Sequence, residues 1–209
     1  CKGRVLAGEL VVGTGGGGHE AGINAPDEHL FCRAQPASDL LIAPRSWHRI
    51  DPDARKTYSA TVFRNQLVAS DVSILHLRLP TGVRARFAAG QYLQVILPDG
   101  QRRSFSMANA PHENDGVLLH IRHMPGGGFT SGVVPNLAKG DVLQIELPHG
   151  DFYLREESDR PLLFIAGGTG FAPVKSIIDD IIKRGIERPM TLFWGARVPA
   201  GLYAPEVVK

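Results

Sequence analysis

A multidomain chain of β and α/β architecture is predicted by three features of these 209 residues. Short runs of alternating apolar and polar residues, separated by turn signals, fill residues 56–154 and predict a small six-stranded antiparallel β-barrel. From about residue 155 a continuous apolar run, a glycine turn, a helical stripe and a second apolar run follow one another, the start of a parallel βαβ unit. Ahead of both lies a segment to about Ala43 that carries both cysteines, Cys1 and Cys32, and the run Gly13-Thr14-Gly15-Gly16-Gly17-Gly18, too poor in side chains to pack.

Taken in order, the charged, two-proline stretch over 44–55 reads as a linker. Alternation then predicts strands over 72–79, 92–97, 102–107, 117–122 and 142–147, with turns at Pro98-Asp99-Gly100 and Lys139-Gly140-Asp141. A helix fits near 130–138, against the preferences of Gly132 and Pro135. The run 161–166 reads as a strand covered on both faces, as does 190–194. Between them Val174, Ile177, Ile178, Ile181 and Ile182 fall on one helical stripe, and Gly185 suits the position just past the helix end.

Composition narrows the function classes. Lys+Arg 23 against Asp+Glu 21 leaves a net charge of +2 without any basic block, which argues against a nucleic-acid partner. No apolar run approaches the ~20 residues of a membrane span, and the N-terminus lacks a signal-peptide layout, so a cytoplasmic protein is expected. Gly 24 and Pro 15 exceed ordinary usage and predict tight turns and close approaches of backbone to ligand. Opening on Cys1 rather than Met, and stopping soon after an apolar strand, the chain reads as an internal piece of a longer protein.

Four constellations carry chemistry. Gly167-Gly168-Thr169-Gly170 sits between a strand and a helix, where bare backbone N–H groups at a helix N-terminus suit a pyrophosphate, and Pro173 falls in the first helical turn. A tight turn that binds nothing is the plain alternative. Arg103 and Phe105 share one face of a strand, a guanidinium for a diphosphate beside a ring for a heterocycle, or simply a surface arginine beside a core ring. Gly126-Gly127-Gly128-Phe129-Thr130 offers a second anion cradle, or a hairpin loop. Cys1 and Cys32 fit a metal or iron–sulfur role, a buried thiol or a disulfide. Neither a nucleophile elbow nor a Walker-type lysine is present, so hydrolase and P-loop readings have no residues.

The order of these motifs, Arg103 to Ser106, Gly126 to Thr130, Gly167 to Pro173 and then Phe193-Trp194-Gly195-Ala196-Arg197, resembles the ferredoxin–NADP reductase superfamily. More closely it is similar to bacterial three-part reductases of oxygenases and of CDP-6-deoxy-Δ3,4-glucoseen, which place a plant-type [2Fe–2S] domain first. The resemblance implies part of a β-grasp ferredoxin domain over 1–43, a linker over 44–55, an FAD-binding barrel over 56–154 and the first part of a parallel NAD(P)-binding domain over 155–209. It implies that Arg103 binds the FAD pyrophosphate, Phe105 packs on the flavin where relatives have tyrosine, and Ser106 lies near flavin N5 as the catalytic position. Gly127, Gly128 and Thr130 would hold FAD phosphates; Gly168, Thr169, Gly170 and Pro173 would face NAD(P)H, with Arg197 near its ribose or phosphate. Cys1 and Cys32 would be two of four ligands to a [2Fe–2S] cluster.

The chain departs from that pattern in two cluster cysteines, in the family's C-terminal C-G-x-P motif, and at Pro199-Ala200-Gly201-Leu202-Tyr203, where relatives carry an acidic residue. As it stands it is expected neither to complete a cluster nor to bind NAD(P)H in the usual way. The implied activity passes electrons from NAD(P)H through FAD and the cluster to a partner protein: an oxygenase, a dehydratase or a soluble carrier. A free-flavin reductase or diaphorase, and a non-enzymatic nucleotide-binding regulatory subunit, are the alternatives.

Overall fold

The structure, a computed structural model, describes residues 2–12, 28–45 and 54–204, and of Val12 and Cys32 it describes the backbone alone. Cys1 and the glycine run at 13–18 lie outside the described residues. The chain divides into two compact units, one ending at Ile50 and the other beginning at Asp51.

In the first unit β1 (Lys2–Ala7) is flanked by β3 (Glu28–Leu30) and β5 (Leu41–Pro44), both antiparallel to it. A second ladder joins β2 (Leu10–Val12) to β4 (Ala34–Pro36), and Cys32 sits in a single 3₁₀ turn, Phe31–Arg33. Only glycine fits at position 3, because a Cβ there would lie 2.5 Å from the Ala43 carbonyl oxygen on β5. Arg45 forks onto Glu28 through Nε at 2.6 Å and Nη2 at 2.9 Å, and Lys2 adds a third contact at 3.3 Å. The Arg45 hydrogen bonds hold the Glu28 carboxyl below its usual range. Pro44 closes β5, and Arg45 donates its N–H to the Lys2 carbonyl, so ordered strand structure extends into the segment expected as linker.

The second unit opens with six strands: β6 (Lys56–Ala69), β7 (Val72–Arg78), β8 (Tyr92–Ile96), β9 (Arg102–Ser106), β10 (Gly116–Arg122) and β11 (Val142–His149). They form one antiparallel sheet in the order β10-β7-β6-β11-β8-β9. A bridge between Met107 and Leu119 brings the end of β9 to β10. Inward residues such as Val62, Leu75, Leu77, Leu93, Leu119 and Ile145 are wholly buried. β6 runs for 14 residues and was not legible as a strand. Its pairing with β7 shifts at Val62/Arg64 and again at Leu67/Ala69, and each bulge breaks the period-two pattern. The helix expected near 130–138 is instead a π-turn, Gly128–Val133, followed by a 3₁₀ turn, Val134–Asn136. Pro135 has no N–H to extend an α-helix, and Gly132 favours none. Asn65 on β6 holds this segment by donating Nδ2 to the carbonyls of Val134 (2.8 Å) and Leu137 (3.1 Å).

Parallel strands β12 (Leu162–Gly167) and β13 (Met190–Gly195) follow, joined by α1 (Phe171–Arg184). α1 buries Phe171, Val174, Ile177 and Ile181, while Ile182, expected on the same stripe, is 66% exposed at its edge. Gly185 ends the helix at φ +65°, with its N–H and that of Ile186 on the carbonyls of Ile182 and Ile181. Among the described residues the two strands are covered on one face, where the sequence predicts cover on both. Phe164 and Ala166 pack under α1, whereas Leu163, Ile165 and Phe193 are 62%, 76% and 61% exposed. Alternation aims these three away from α1, so a single helix leaves them open.

Candidate active site

The register of β8 with β9 sets Arg103 opposite Val95 and Phe105 opposite Leu93, so the two share a face as their spacing predicts. Phe105 packs on the sheet core, and its ring lies 5.8 Å from that of Phe129, tilted by 44°. Neighbouring Arg102 is bound on the opposite face, by Glu146 Oε1 at 2.6 Å and Gln94 Oε1 at 3.0 Å. Arg103 donates to neutral oxygens, Arg102 O at 3.0 Å and Gln101 Oε1 at 2.6 Å, and meets no carboxylate among the described residues. A guanidinium with neutral partners retains its charge for an anion. Ser106 is half-buried at the end of the strand, across from Tyr92.

The Phe129 ring belongs to the loop that leaves β10. Gly126 turns it at φ +74°. Gly127 donates its N–H to Met124 O at 2.8 Å, and the Ser131 hydroxyl donates to the same carbonyl. Thr130 Oγ1 accepts the Met124 N–H at 3.3 Å, so this hydroxyl is partly used in shaping the loop and keeps its own proton to donate. At Gly126 and Gly128 an added Cβ would meet nothing within 4 Å, whereas at Gly127 it would lie 2.5 Å from Thr130 Oγ1. The backbone at Gly126 and Gly128 is therefore open to close approach by a ligand.

At the other glycine turn β12 runs into Gly167, Gly168 adopts φ +51°, and a 3₁₀ turn over Gly168–Gly170 leads into α1 with Pro173 in its first turn. Space is open over Gly167 and Gly170, and Thr169 is half-exposed. Several residues that sequence reasoning missed surround this turn. Arg122, the last residue of β10, would have its Nη2 3.1 Å from a Cβ on Gly168, and its Nη1 pairs closely with Asp71. Trp194 donates Nε1 to Gly168 O at 2.9 Å and stacks on Phe171, with centroids 4.1 Å apart. Tyr203 meets that indole edge-on and lies 2.8 Å from Nδ1 of His120 on β10. Burial lowers the His120 pKa to about 4 and raises that of Tyr203.

The arrangement therefore links all four motifs, the last of them through Trp194 rather than Arg197. Strand β9 touches the Gly126 loop through Phe105 and Phe129, and β10 delivers both that loop and, through Arg122, a guanidinium to the second glycine turn. Arg197 stays exposed beyond β13, and the structure brings it to none of the others. Two open glycine turns thus lie near the end of β10. The model of the oxidoreductase FAD-binding domain matches residues 59–153 and that of the oxidoreductase NAD-binding domain residues 164–209. This chain belongs to the ferredoxin–NADP reductase-like oxidoreductases.

Among its reductase relatives, it is 54% identical over 182 residues to the terephthalate 1,2-dioxygenase reductase component 1 of Comamonas, covering 87% of this chain and 54% of that one. The CDP-6-deoxy-L-threo-D-glycero-4-hexulose-3-dehydrase reductase of Yersinia pseudotuberculosis is 38% identical over 82% of this chain and 51% of its own length. The crystal structure of the Amycolatopsis cytochrome P450 reductase GcoB superposes with a TM-score of 0.68 at 33% identity, over 100% of this chain and 65% of that one. The chain thus spans about half the length of the curated reductases it matches. No helix among the described residues of this oxidoreductase is long and apolar enough to cross a membrane. Nor do three or more His, Cys, Asp or Glu side chains gather there closely enough to hold a metal; Cys1 and the Cys32 side chain lie outside those residues.

Proposed function

We propose that the protein carrying this chain is an NAD(P)H-dependent reductase that passes electrons through FAD to a partner protein. The observation that carries the reading is the convergence of the two open glycine cradles, over Gly126 and Gly128 and over Gly167 and Gly170, at the end of β10. Hydride acceptance from the nicotinamide and the release of single electrons are the chemistry FAD supplies when bound. The chain's own task is to bind and orient. Arg103 supplies charge for the FAD pyrophosphate, Gly127, Gly128 and Thr130 take its phosphates, Phe105 covers the flavin, and Ser106 stands beside its reactive edge. Gly168, Thr169, Gly170 and Pro173 receive the nicotinamide dinucleotide at the positive end of α1, with Arg197 toward its ribose or phosphate.

The finer fold reading belongs to the same proposal. The six-stranded sheet closes as an FAD-binding barrel over 56–154, a reading supported by the Met107–Leu119 bridge between its edge strands. Residues 155–209 begin the NAD(P)-binding domain, 44–55 link it all to 1–43, and the latter are part of a [2Fe–2S] ferredoxin domain. For the cluster, with Cys1 and Cys32 as ligands, the support is the sequence resemblance. The relatives' names point to an oxygenase or a sugar dehydrase as electron acceptor.

An anaerobic visible spectrum of the full-length protein, before and after NADH, tests the reading. Flavin bands that bleach on adding NADH are expected, with a cluster shoulder that bleaches alongside. Flavin bands without the shoulder would remove the cluster and leave a flavin reductase; a colourless protein would overturn the whole assignment.

A further inference from the structure

The glycine turn assigned above to the nicotinamide nucleotide is tied to the six-stranded sheet by an unbroken line of contacts. Its carbonyl at Gly168 accepts the Trp194 Nε1–H at 2.9 Å. The Trp194 indole lies nearly parallel to Phe171, the first residue of α1, at 18° between ring planes. Tyr203 meets the indole at 5.2 Å and 85°, and its hydroxyl reaches His120 Nδ1 at 2.8 Å. Tyr203 and His120 are 7% and 6% exposed, and His120 belongs to β10.

We propose that His120, Tyr203 and Trp194 form a positioning relay. It fixes the Gly168–Gly170 turn relative to the sheet, and so sets how a nicotinamide bound at the turn meets a flavin bound at the sheet. The proposal rests on the assignment of that turn to the nicotinamide nucleotide.

Three physical points carry it. First, a turn with glycine at 167, 168 and 170 has little conformational preference of its own, so an external hydrogen bond to Gly168 O restricts what the backbone alone would leave open. Second, apolar packing would be served by phenylalanine and leucine. A buried hydroxyl and imidazole that satisfy each other instead specify one docking geometry, since separating them leaves both without a partner. Third, His120 is held neutral by its burial, which keeps a charge out of the joint. Hydride transfer is the step most sensitive to such placement, because an error of about 1 Å can lower a rate by a factor on the order of 100.

The same interface holds a hydrogen-bonded pin that does not touch the turn, and this supplies the comparison. Ser176 Oγ on α1, fully buried, donates to Asn109 O at 2.7 Å and accepts from Gly90 N at 3.3 Å. In the full-length flavin-loaded protein, Trp194→Phe, Tyr203→Phe and Ser176→Ala are compared. Thermal midpoint, bound FAD and the rate of flavin reduction at saturating NADH (with NADPH in parallel) are measured for each. Trp194→Phe and Tyr203→Phe are expected to keep their FAD and to lower the saturating rate roughly tenfold. Ser176→Ala is expected to lower the midpoint at least as much while changing the rate less than about twofold.

Rates that fall in proportion to the midpoint in all three variants, or wild-type rates in both ring variants, would overturn the relay. Should Trp194→Phe fail to fold, Tyr203→Phe, which removes one hydroxyl, decides alone. A wild-type protein whose flavin neither NADH nor NADPH reduces would sink the nucleotide assignment itself, and the relay with it.

Discussion

At the scale of single residues, space and protonation are the two levers. Gly128 has room for a methyl group, so Gly128→Ala separates ligand binding from folding. The expected outcome is an unfolding free energy within about 0.5 kcal/mol of wild type, with FAD bound at least about tenfold more weakly in a fluorescence titration. Gly90 is the opposite case. At φ +93° its added Cβ would lie 2.2 Å from Phe152 O and 2.8 Å from Ile177 Cδ1, so Gly90→Ala is expected to destabilise by more than about 1 kcal/mol in urea. His120 sets a pH dependence. Its pKa falls from 6.5 to about 4 on folding, chiefly through burial, so between those values the unfolded chain binds the extra proton. Stability is therefore full above pH 6.5 and declines as pH falls toward 4, by about 3 kcal/mol over the window. Burial depresses His76 and His149 as well, which adds slope of the same sign. Urea midpoints across that range check it, and His120→Gln should flatten the curve.

Among the elements, α1 shows how a periodic stripe is divided by what it packs against. Ile181 is 1% exposed beneath Phe164 and its neighbours, and Ile182 is 66% exposed. Ile181→Ala should cost about 2–4 kcal/mol in chemical denaturation and Ile182→Ala about 0.5 kcal/mol or less, although the sequence pattern treats them alike. The strand–glycine–helix–strand order was legible because each signal in it is local: an apolar run, three glycines, steps of three and four, and a glycine past the end. β6 was not, since bulges decided by its partner β7 shift the alternation within it.

For the whole molecule, the division after Ile50 predicts that a polypeptide beginning at Asp51 keeps the sheet, its core and both glycine cradles. Such a polypeptide should fold cooperatively and retain FAD. Loss of flavin from it, read by absorbance after gel filtration, would show that the first unit takes part in holding the cofactor. Residues 72, 120, 194 and 203 illustrate the long-range part of the design, since Tyr203 packs on Val72 and Trp194 while bonding to His120. No spacing rule connects positions so far apart.

The sequence by itself determined the two textures of the chain, the parallel βαβ unit, both glycine turns and the shared face of Arg103 and Phe105, because all follow from backbone periodicity and glycine chemistry over a few residues. Only the tertiary structure decided that Arg122 reaches the second of these turns, and that Trp194 and Tyr203 link it to His120 on β10. Those contacts depend on how strands distant in the chain are ordered side by side, and register across a sheet is a property of pairs of segments.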